Sequence, residues 1–254
     1  MSGARRPWQA WYERWERQQE AYLPNRERRF TALLDVLAAS LPARFRALDL
    51  GCGPGSLSAR LLDRFPRARV VAVDHDPVVR RIGEGALGDR RGRLTWIDAD
   101  LGVPGWDAAL PRGRYDAAVS TTALHWLEPP RLRRLYRDLA RRLRRGGIVL
   151  NGDRLPYGRD APALARLAEK VRAVRRKRVS RWTGHGPWEA FWRAAERDPA
   201  LRSAFAARVG EAGQHPHHEN LALSVHVRAL RRAGFRPVEV VWRSFDDGIL
   251  YARR

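Results

Sequence analysis

Apolar positions in this chain follow helical spacing first, strand-like runs next, and helical spacing again. Trp8, Trp11 and Trp15 recur at i, i+3 and i+7, which stacks three indoles on one side of a helix. Pro24 ends that helix, and the pattern predicts a second over 26–41 with Phe30, Leu33, Leu34 and Leu37 as its stripe. The spacing then alternates between short aliphatic runs and amphipathic segments. Strands are expected over 46–50, 69–74, 94–97, 115–120 and 147–151, and helices over 57–65, 78–87 and 131–145. Strands that are aliphatic almost throughout, separated by amphipathic helices, indicate a parallel sheet covered on both faces.

From 156 to 219 the alternation stops. This stretch carries a basic run from Arg172 to Arg181, the tryptophans Trp182, Trp188 and Trp192, and His215-Pro216-His217-His218. It reads as a helical insertion, not a separate domain. Leu223, Val227 and Leu230 mark a further helix capped at Gly234. The run 238–242, the turn residues Asp246-Asp247-Gly248 and the run 249–252 predict a closing hairpin. One domain is expected overall: an N-terminal helical lid segment (1–41), a cofactor-binding core (42–155), the inserted lid (156–219) and a completion of the core sheet (220–254).

Composition changes this picture little. With 254 residues, 44% hydrophobic and 30% charged, the chain suits one buried core with a lid. The formal charge of +21 resembles a nucleic-acid signature, but Lys170 and Lys177 are the only lysines. Phosphate binding does not demand such a skew, whereas a GC-rich genome produces it. The segment 131–145 shows the bland alternative, a leucine stripe with arginines on a solvated face. Cys52 is the single cysteine, so no internal disulfide forms. The first residues hold no signal-like apolar run and no stretch reaches membrane-span length, so a cytoplasmic, membrane-free protein is expected.

The chemistry concentrates where strands end. Leu48-Asp49-Leu50-Gly51-Cys52-Gly53-Pro54-Gly55 is a strand running into a glycine turn and then a helix, which exposes bare backbone to a ligand. A dinucleotide fingerprint would put its third glycine at Ser56, and no Gly-Lys-Ser/Thr follows for a phosphate loop. Asp74 closes the second strand, 19 positions beyond Gly55, and Asp100 with Leu101 lies past the third. Taken singly, Asp74, His75 or Asp76 could be a helix cap and Asp100 a turn residue; their joint placement at successive strand ends favours a ligand site.

The glycine run resembles motif I of class I methyltransferases. The resemblance continues through Asp74, Asp100, Ser120-Thr121-Thr122-Ala123-Leu124-His125-Trp126 and Arg145-Gly146-Gly147, covering about 46–150 strongly and 221–254 in topology. The lid matches loosely, nearest to trans-aconitate and malonyl-carrier-protein methyltransferases. It implies a three-layer αβα Rossmann-like fold with a mostly parallel seven-stranded sheet, an antiparallel last strand and a helical lid. It also implies S-adenosylmethionine as cofactor, leaving as S-adenosylhomocysteine. Asp49, Gly51, Gly53, Gly55, Asp74, His75, Asp100, Leu101 and Thr121 are the expected cofactor residues, with Asp74 on the ribose hydroxyls and Asp100 on the adenine amine.

A small-molecule acceptor is expected, with Trp11, Tyr22, Arg26, Trp126 and Trp182 as lid or substrate residues. For most of the aromatics the plainer role is packing helices onto the core. His125 is the one histidine that the motif places at the active face, a candidate general base for a hydroxyl acceptor. Without a base the acceptor should already be nucleophilic, such as a carboxylate, which an arginine-rich lid would suit. His215, His217 and His218 match no standard zinc spacing, and no metal is expected. The rivals are a nucleic-acid methyltransferase gripping phosphates through 172–181, and a member that binds the cofactor without catalysis. Against the first, Glu128-Pro129-Pro130-Arg131 lacks the aromatic that amino-methylating enzymes stack on a base, and Cys52 is committed to the glycine loop. The acceptor's identity and the oligomeric state are not encoded in any motif.

Overall fold

A computed structural model describes residues 6–23, 25–158, 161–183, 188–211 and 221–254, with the side chains of 6, 21, 179–183 and 209–211 left out. In chain order the elements are α1 (Arg6–Tyr22), α2 (Arg26–Ser40), β1 (Arg46–Leu50), α3 (Ser56–Arg64), β2 (Arg69–Asp74), α4 (Pro77–Leu87) and β3 (Leu94–Asp98). There follow β4 (Tyr115–Thr121), α5 (Pro129–Arg142), β5 (Leu143–Arg154), α6 (Pro162–Thr183), α7 (Trp188–Arg197), α8 (Arg202–Glu211), α9 (Leu223–Arg232), β6 (Val238–Ser244) and β7 (Asp247–Arg253). The seven-stranded sheet has the order β3-β2-β1-β4-β5-β7-β6. Only β7 runs against its neighbours β5 and β6; the other pairings are parallel. This is the expected three-layer Rossmann-like methyltransferase fold.

Alternation along each strand builds two cores from one sheet. Ala47, Val70, Ala72, Ala117, Val119, Ile148 and Leu150 face one layer with Leu33 and Leu37 of α2 and Leu61 and Leu62 of α3. Leu48, Leu50, Val71, Val73, Ala118 and Val149 face the other, against Leu132, Leu135 and Leu139 of α5 and Leu230 of α9. That explains why the strands read as continuous aliphatic runs: both faces are covered.

Two local expectations are revised. The Asp-Gly pair is not the hairpin turn. Ser244 pairs with Asp247, so the loop is Phe245-Asp246, and Gly248 lies inside β7 opposite Asp153 and Arg243. Phe245 takes the positive φ of 60° that the turn requires. The fifth strand is also longer than the run 147–151, because β-pairing continues through Asp153 and Arg154 at its carboxyl end.

The N-terminal tryptophans are packing residues. Gly85 of α4 has no side chain where Trp8 lies: a Cβ there would stand 2.2 Å from the Trp8 Cγ. Trp11 donates to Asp198 Oδ2 (2.7 Å) and meets Phe191 edge-on at 5.6 Å, and Trp15 packs against Trp188, Phe191 and Trp192. Helices α1, α7 and α8 thus pack together beside α4, anchored by Arg208, which donates to Asp76 Oδ2 (2.8 Å) and lies 3.9 Å above the Trp192 ring.

Candidate active site

The order β3-β2-β1-β4-β5 places the chain reversal between β1 and β4, and the crevice at such a point collects the strand ends. Gly51, Gly53 and Gly55 there have φ of 65°, 55° and 82°, conformations that side chains resist. At Gly51 a Cβ would also fall 2.3 Å from the Ala123 Cβ, so the loop passes the residue before the His125 turn at backbone contact. The amides of Gly51 and Cys52 donate to the Val73 carbonyl (2.8 and 3.1 Å), which ties the turn to the end of β2.

Asp74 completes that tie. Its Oδ2 accepts the Gly53 N–H (2.7 Å) and its Oδ1 the Asp76 N–H (2.9 Å). The helix cap is Asp76, whose Oδ1 accepts from Val78 and Val79 (2.9 and 3.3 Å), so Asp74 is released from that duty. Burial raises the Asp74 carboxyl, opposed by these two amides. Each carboxylate oxygen still has acceptor capacity beyond its one amide. His75 is half-exposed beside it, with Nδ1 3.9 Å from Asp74 Oδ1. Asp49 is bound inward, accepting the Ser58 hydroxyl (2.6 Å); burial pushes its carboxyl up to about 7. It therefore holds β1 to α3. Asp100 follows β3 and accepts the Gly102 N–H through Oδ1 (2.6 Å), with Leu101 buried next to it.

Helix α1 roofs the loop. The Trp15 Cζ2 lies 3.7 Å from where a Gly53 Cβ would stand, and Glu16 accepts the Ser56 hydroxyl at the start of α3. Glu16 is half-buried, which raises its carboxyl, but Arg26 and Arg60 outweigh that and hold it down at about 2. Arg26 is thus spent on fastening α1 to α2, with both guanidinium nitrogens 2.9 Å from Glu16, and does not line the cavity near the ends of β4 and β5. Arg29, one turn further along α2, takes that place.

The cavity, of about 220 Å³, lies beyond the ends of β4 and β5 between α6 and the β6–β7 turn. Tyr22, Arg29, Thr122, His125, Asp153, Arg154, Arg172, Arg175, Asp246 and Asp247 contribute to its wall. A second depression of about 400 Å³, at Arg231 and 236–239, opens at the amino end of β6, away from these groups. His125 Nδ1 stands 2.8 and 3.0 Å from the two Asp153 oxygens. Burial would raise the Asp153 carboxyl, yet His125, Arg29 and the Arg154 N–H together hold it below the ordinary range. Arg29 bridges Asp247 Oδ1 (2.9 Å) and the Thr122 hydroxyl (2.5 Å). Thr122 itself sits at φ 57°, an unfavourable conformation for a β-branched residue. Arg154 and Arg172 share Asp246 Oδ2 (2.9 and 2.6 Å). Arg175 bonds the Ser244 hydroxyl (3.0 Å) and lies over Phe245. Among the described residues it has no carboxylate partner.

Of the remaining expected residues, Tyr22 borders the cavity and its hydroxyl accepts the Trp188 N–H (3.0 Å). Trp126 is exposed and tilted against His125 at 5.1 Å, and Thr121 ends β4 beside Gly152. Trp11 packs in the lid, while the Trp182 side chain and the histidines 215, 217 and 218 lie outside the described residues. No cluster among the described residues could hold a metal, and no helix there is long and apolar enough to cross a membrane. Asp153 and Arg29 are absent from the sequence expectations, and Thr122 and Asp246 enter them only within a motif and a turn. Only Asp153 carried a local signal, an acid following the fifth aliphatic run.

Residues 47–147 match the family described as methyltransferase domain. They form a class I, Rossmann-like methyltransferase domain. A trans-aconitate 2-methyltransferase of Azoarcus sp. (strain BH72) is 35% identical over 150 residues, 59% of this chain and 53% of that protein. A malonyl-[acyl-carrier protein] O-methyltransferase of Acetivibrio thermocellus is 30% identical over 107 residues, 42% of this chain and 35% of that one. The chain thus spans about half or less of the length of these curated relatives. Human N-acetylserotonin methyltransferase in complex with SAM superposes with a TM-score of 0.51 at 14% identity, covering 89% of this chain and 54% of that one. That likeness concerns the fold.

Proposed function

We propose that this chain transfers a methyl group from S-adenosylmethionine to a small acceptor carrying an anionic group such as a carboxylate. The observation that carries the acceptor class is the charge of the cavity. Asp246 is engaged by Arg154 with Arg172, Asp247 by Arg29, and Asp153 by the His125 Nδ1. Among the described residues the Arg175 guanidinium meets no carboxylate, so four guanidinium groups of the cavity face three carboxylates, and a bound anion would complete the set.

The donor set suits the cofactor. Glycine at 51, 53 and 55 lets a ligand approach the backbone of the turn closely, Asp74 keeps carboxylate acceptor capacity for ribose hydroxyls, and Asp100 with Leu101 would read the adenine edge. When bound, S-adenosylmethionine supplies a methyl on a cationic sulfur, already an electrophile. The chain's share is to orient and to exclude water. Arg175 fixes the acceptor's anionic end, the α1–α7 lid closes the crevice, and the acceptor atom is brought in line behind the methyl.

Calorimetric titration with S-adenosylmethionine and S-adenosylhomocysteine, with Asp74→Ala as control, tests the cofactor. Micromolar binding that Asp74→Ala weakens supports it, and absence of binding by both ligands overturns it. An acceptor screen beginning with small carboxylates and their neutral amides tests the second part. Equal turnover of acids and amides would remove the anionic requirement, and turnover of RNA alone would move the acceptor to nucleic acid.

A further inference from the structure

Strand β3 is an edge of the sheet, so the turn that follows it has a strand to lean on at one side only, through the Ala99 N–H to the Asp74 carbonyl (3.3 Å). The turn 100–103 closes on itself. The Gly102 N–H donates to Asp100 Oδ1 (2.6 Å) and the Val103 N–H to the Asp100 carbonyl (3.1 Å). These bonds set the Asp100 carboxylate relative to its own backbone. They do not set the turn relative to the crevice.

Helix α5 does that. Its Leu132, Leu135 and Leu139 join the same core as Leu101, and Arg131 and Arg134, three apart, share a neighbouring face. Arg134 donates through Nη2 to the Gly102 carbonyl, and its Nε is buried. Arg131 lies over the same glycine. A Cβ at 102 would stand 3.4 Å from the Arg131 Cδ, 3.2 Å from its Nη1 and 2.9 Å from Asp100 Oδ1. Gly102 has no left-handed φ, so what favours glycine there is crowding and not conformation. Asp100 thus sits on a turn gripped at the Gly102 carbonyl by one arginine and packed at the Gly102 Cα by another.

We propose that Arg134, with Arg131 packed beside it, is a positioning residue for base recognition. By holding the Gly102 carbonyl it fixes the Asp100 carboxylate against the exocyclic amine of adenine, and so sets the preference of the site for adenine over a 6-oxopurine. The inference rests on the cofactor reading above and deepens it. At that edge adenine presents a hydrogen-bond donor and hypoxanthine an oxygen. A carboxylate fixed in place accepts from the first and repels the second, whereas a turn free to shift admits water and levels the two.

Titration calorimetry of the full chain with S-adenosylhomocysteine and S-inosylhomocysteine tests this. The wild-type protein should prefer S-adenosylhomocysteine by at least about tenfold. Arg134→Met keeps the stem and removes the donors. It should bind S-adenosylhomocysteine about fivefold or more weakly and S-inosylhomocysteine within about twofold of wild type, so that the preference shrinks. Arg134→Lys, which restores a donor, should recover part of it. Gly102→Ala presses on the carboxylate from the other side and should shrink the preference likewise; it decides the question if Arg134→Met does not fold. Equal weakening of both ligands, or of neither, would leave Arg134 a structural role and overturn the proposal with the cofactor reading intact. A wild-type protein that binds neither ligand, or both equally, would instead remove the reading of the cofactor and its adenine on which the proposal rests.

Discussion

Acidification should weaken this fold through His226. The imidazole is 1% exposed on α9, with Nδ1 2.8 Å from the Tyr136 hydroxyl. Burial pushes it down from an ordinary 6.5 to about 4; the Asp153 charge opposes the shift and His125 adds to it. Between those two values the unfolded chain binds a proton that the folded chain refuses. The stabilisation is therefore complete above the unfolded value and is lost as pH falls toward the folded one. For one such group the linkage amounts to a loss of about 2 kcal/mol between about pH 7.5 and about pH 5. Asp49 works in the opposite sense across the same window. Burial pushes its carboxyl from 3.8 up to about 7, so the folded chain gains stability from that group as pH falls. A bare pH profile mixes the two, and a variant separates them. His226→Gln retains an acceptor for Tyr136 and has no titrating ring. Urea unfolding of both proteins across this pH range should show the wild-type advantage shrinking by about 2 kcal/mol on acidification. A gap constant to within about 0.5 kcal/mol would refute the assignment of a buried, neutral His226.

Three further outcomes follow from the site. Asp74→Ala removes carboxylate acceptors worth about 1.5–3 kcal/mol each, so calorimetry should show S-adenosylhomocysteine binding at least about tenfold weaker; unchanged affinity would take Asp74 out of the site. Gly51→Ala sets a Cβ 2.3 Å from the Ala123 Cβ at φ 65°. Its backbone strain alone is about 1–2 kcal/mol, so thermal unfolding should shift down by several degrees, and an unshifted midpoint would refute the close approach. Arg175→Gln should raise KM for anionic acceptors about tenfold or more and leave neutral analogues nearly untouched; an equal change for both would assign Arg175 a structural role.

Much of the architecture was legible because its causes are local. The run of Val70, Val71, Ala72 and Val73 can form only a doubly covered strand, and α2, β1, β2 and α4 fall within a residue of their expected bounds. The turn at the hairpin was misplaced because Asp-Gly is a statistical preference. Pairing of β7 with both β5 and β6 fixes the register, and it draws Gly248 into the strand while Phe245 absorbs the strain. Arg29, and not the expected Arg26, lines the cavity for a similar reason. Both lie in the first turns of α2, and which of them meets Glu16 and which meets Asp247 depends on where α1 and the hairpin arrive.

The sequence by itself determined the order of strands and helices, the glycine turn and the acids that close β2 and follow β3. Each is written within a few neighbouring residues through spacing and backbone conformation. The tertiary structure alone decided what stands opposite what. His125 and Asp153 are 28 residues apart and 2.8 Å from contact to contact, because β4 and β5 pair in parallel, Thr121 against Gly152, and end together. Arg29 reaches Asp247 across 218 residues through the docking of α2 on the sheet. Strand order and register are properties of the packed whole, so the glycine loop could be read from its own residues and the cavity could not.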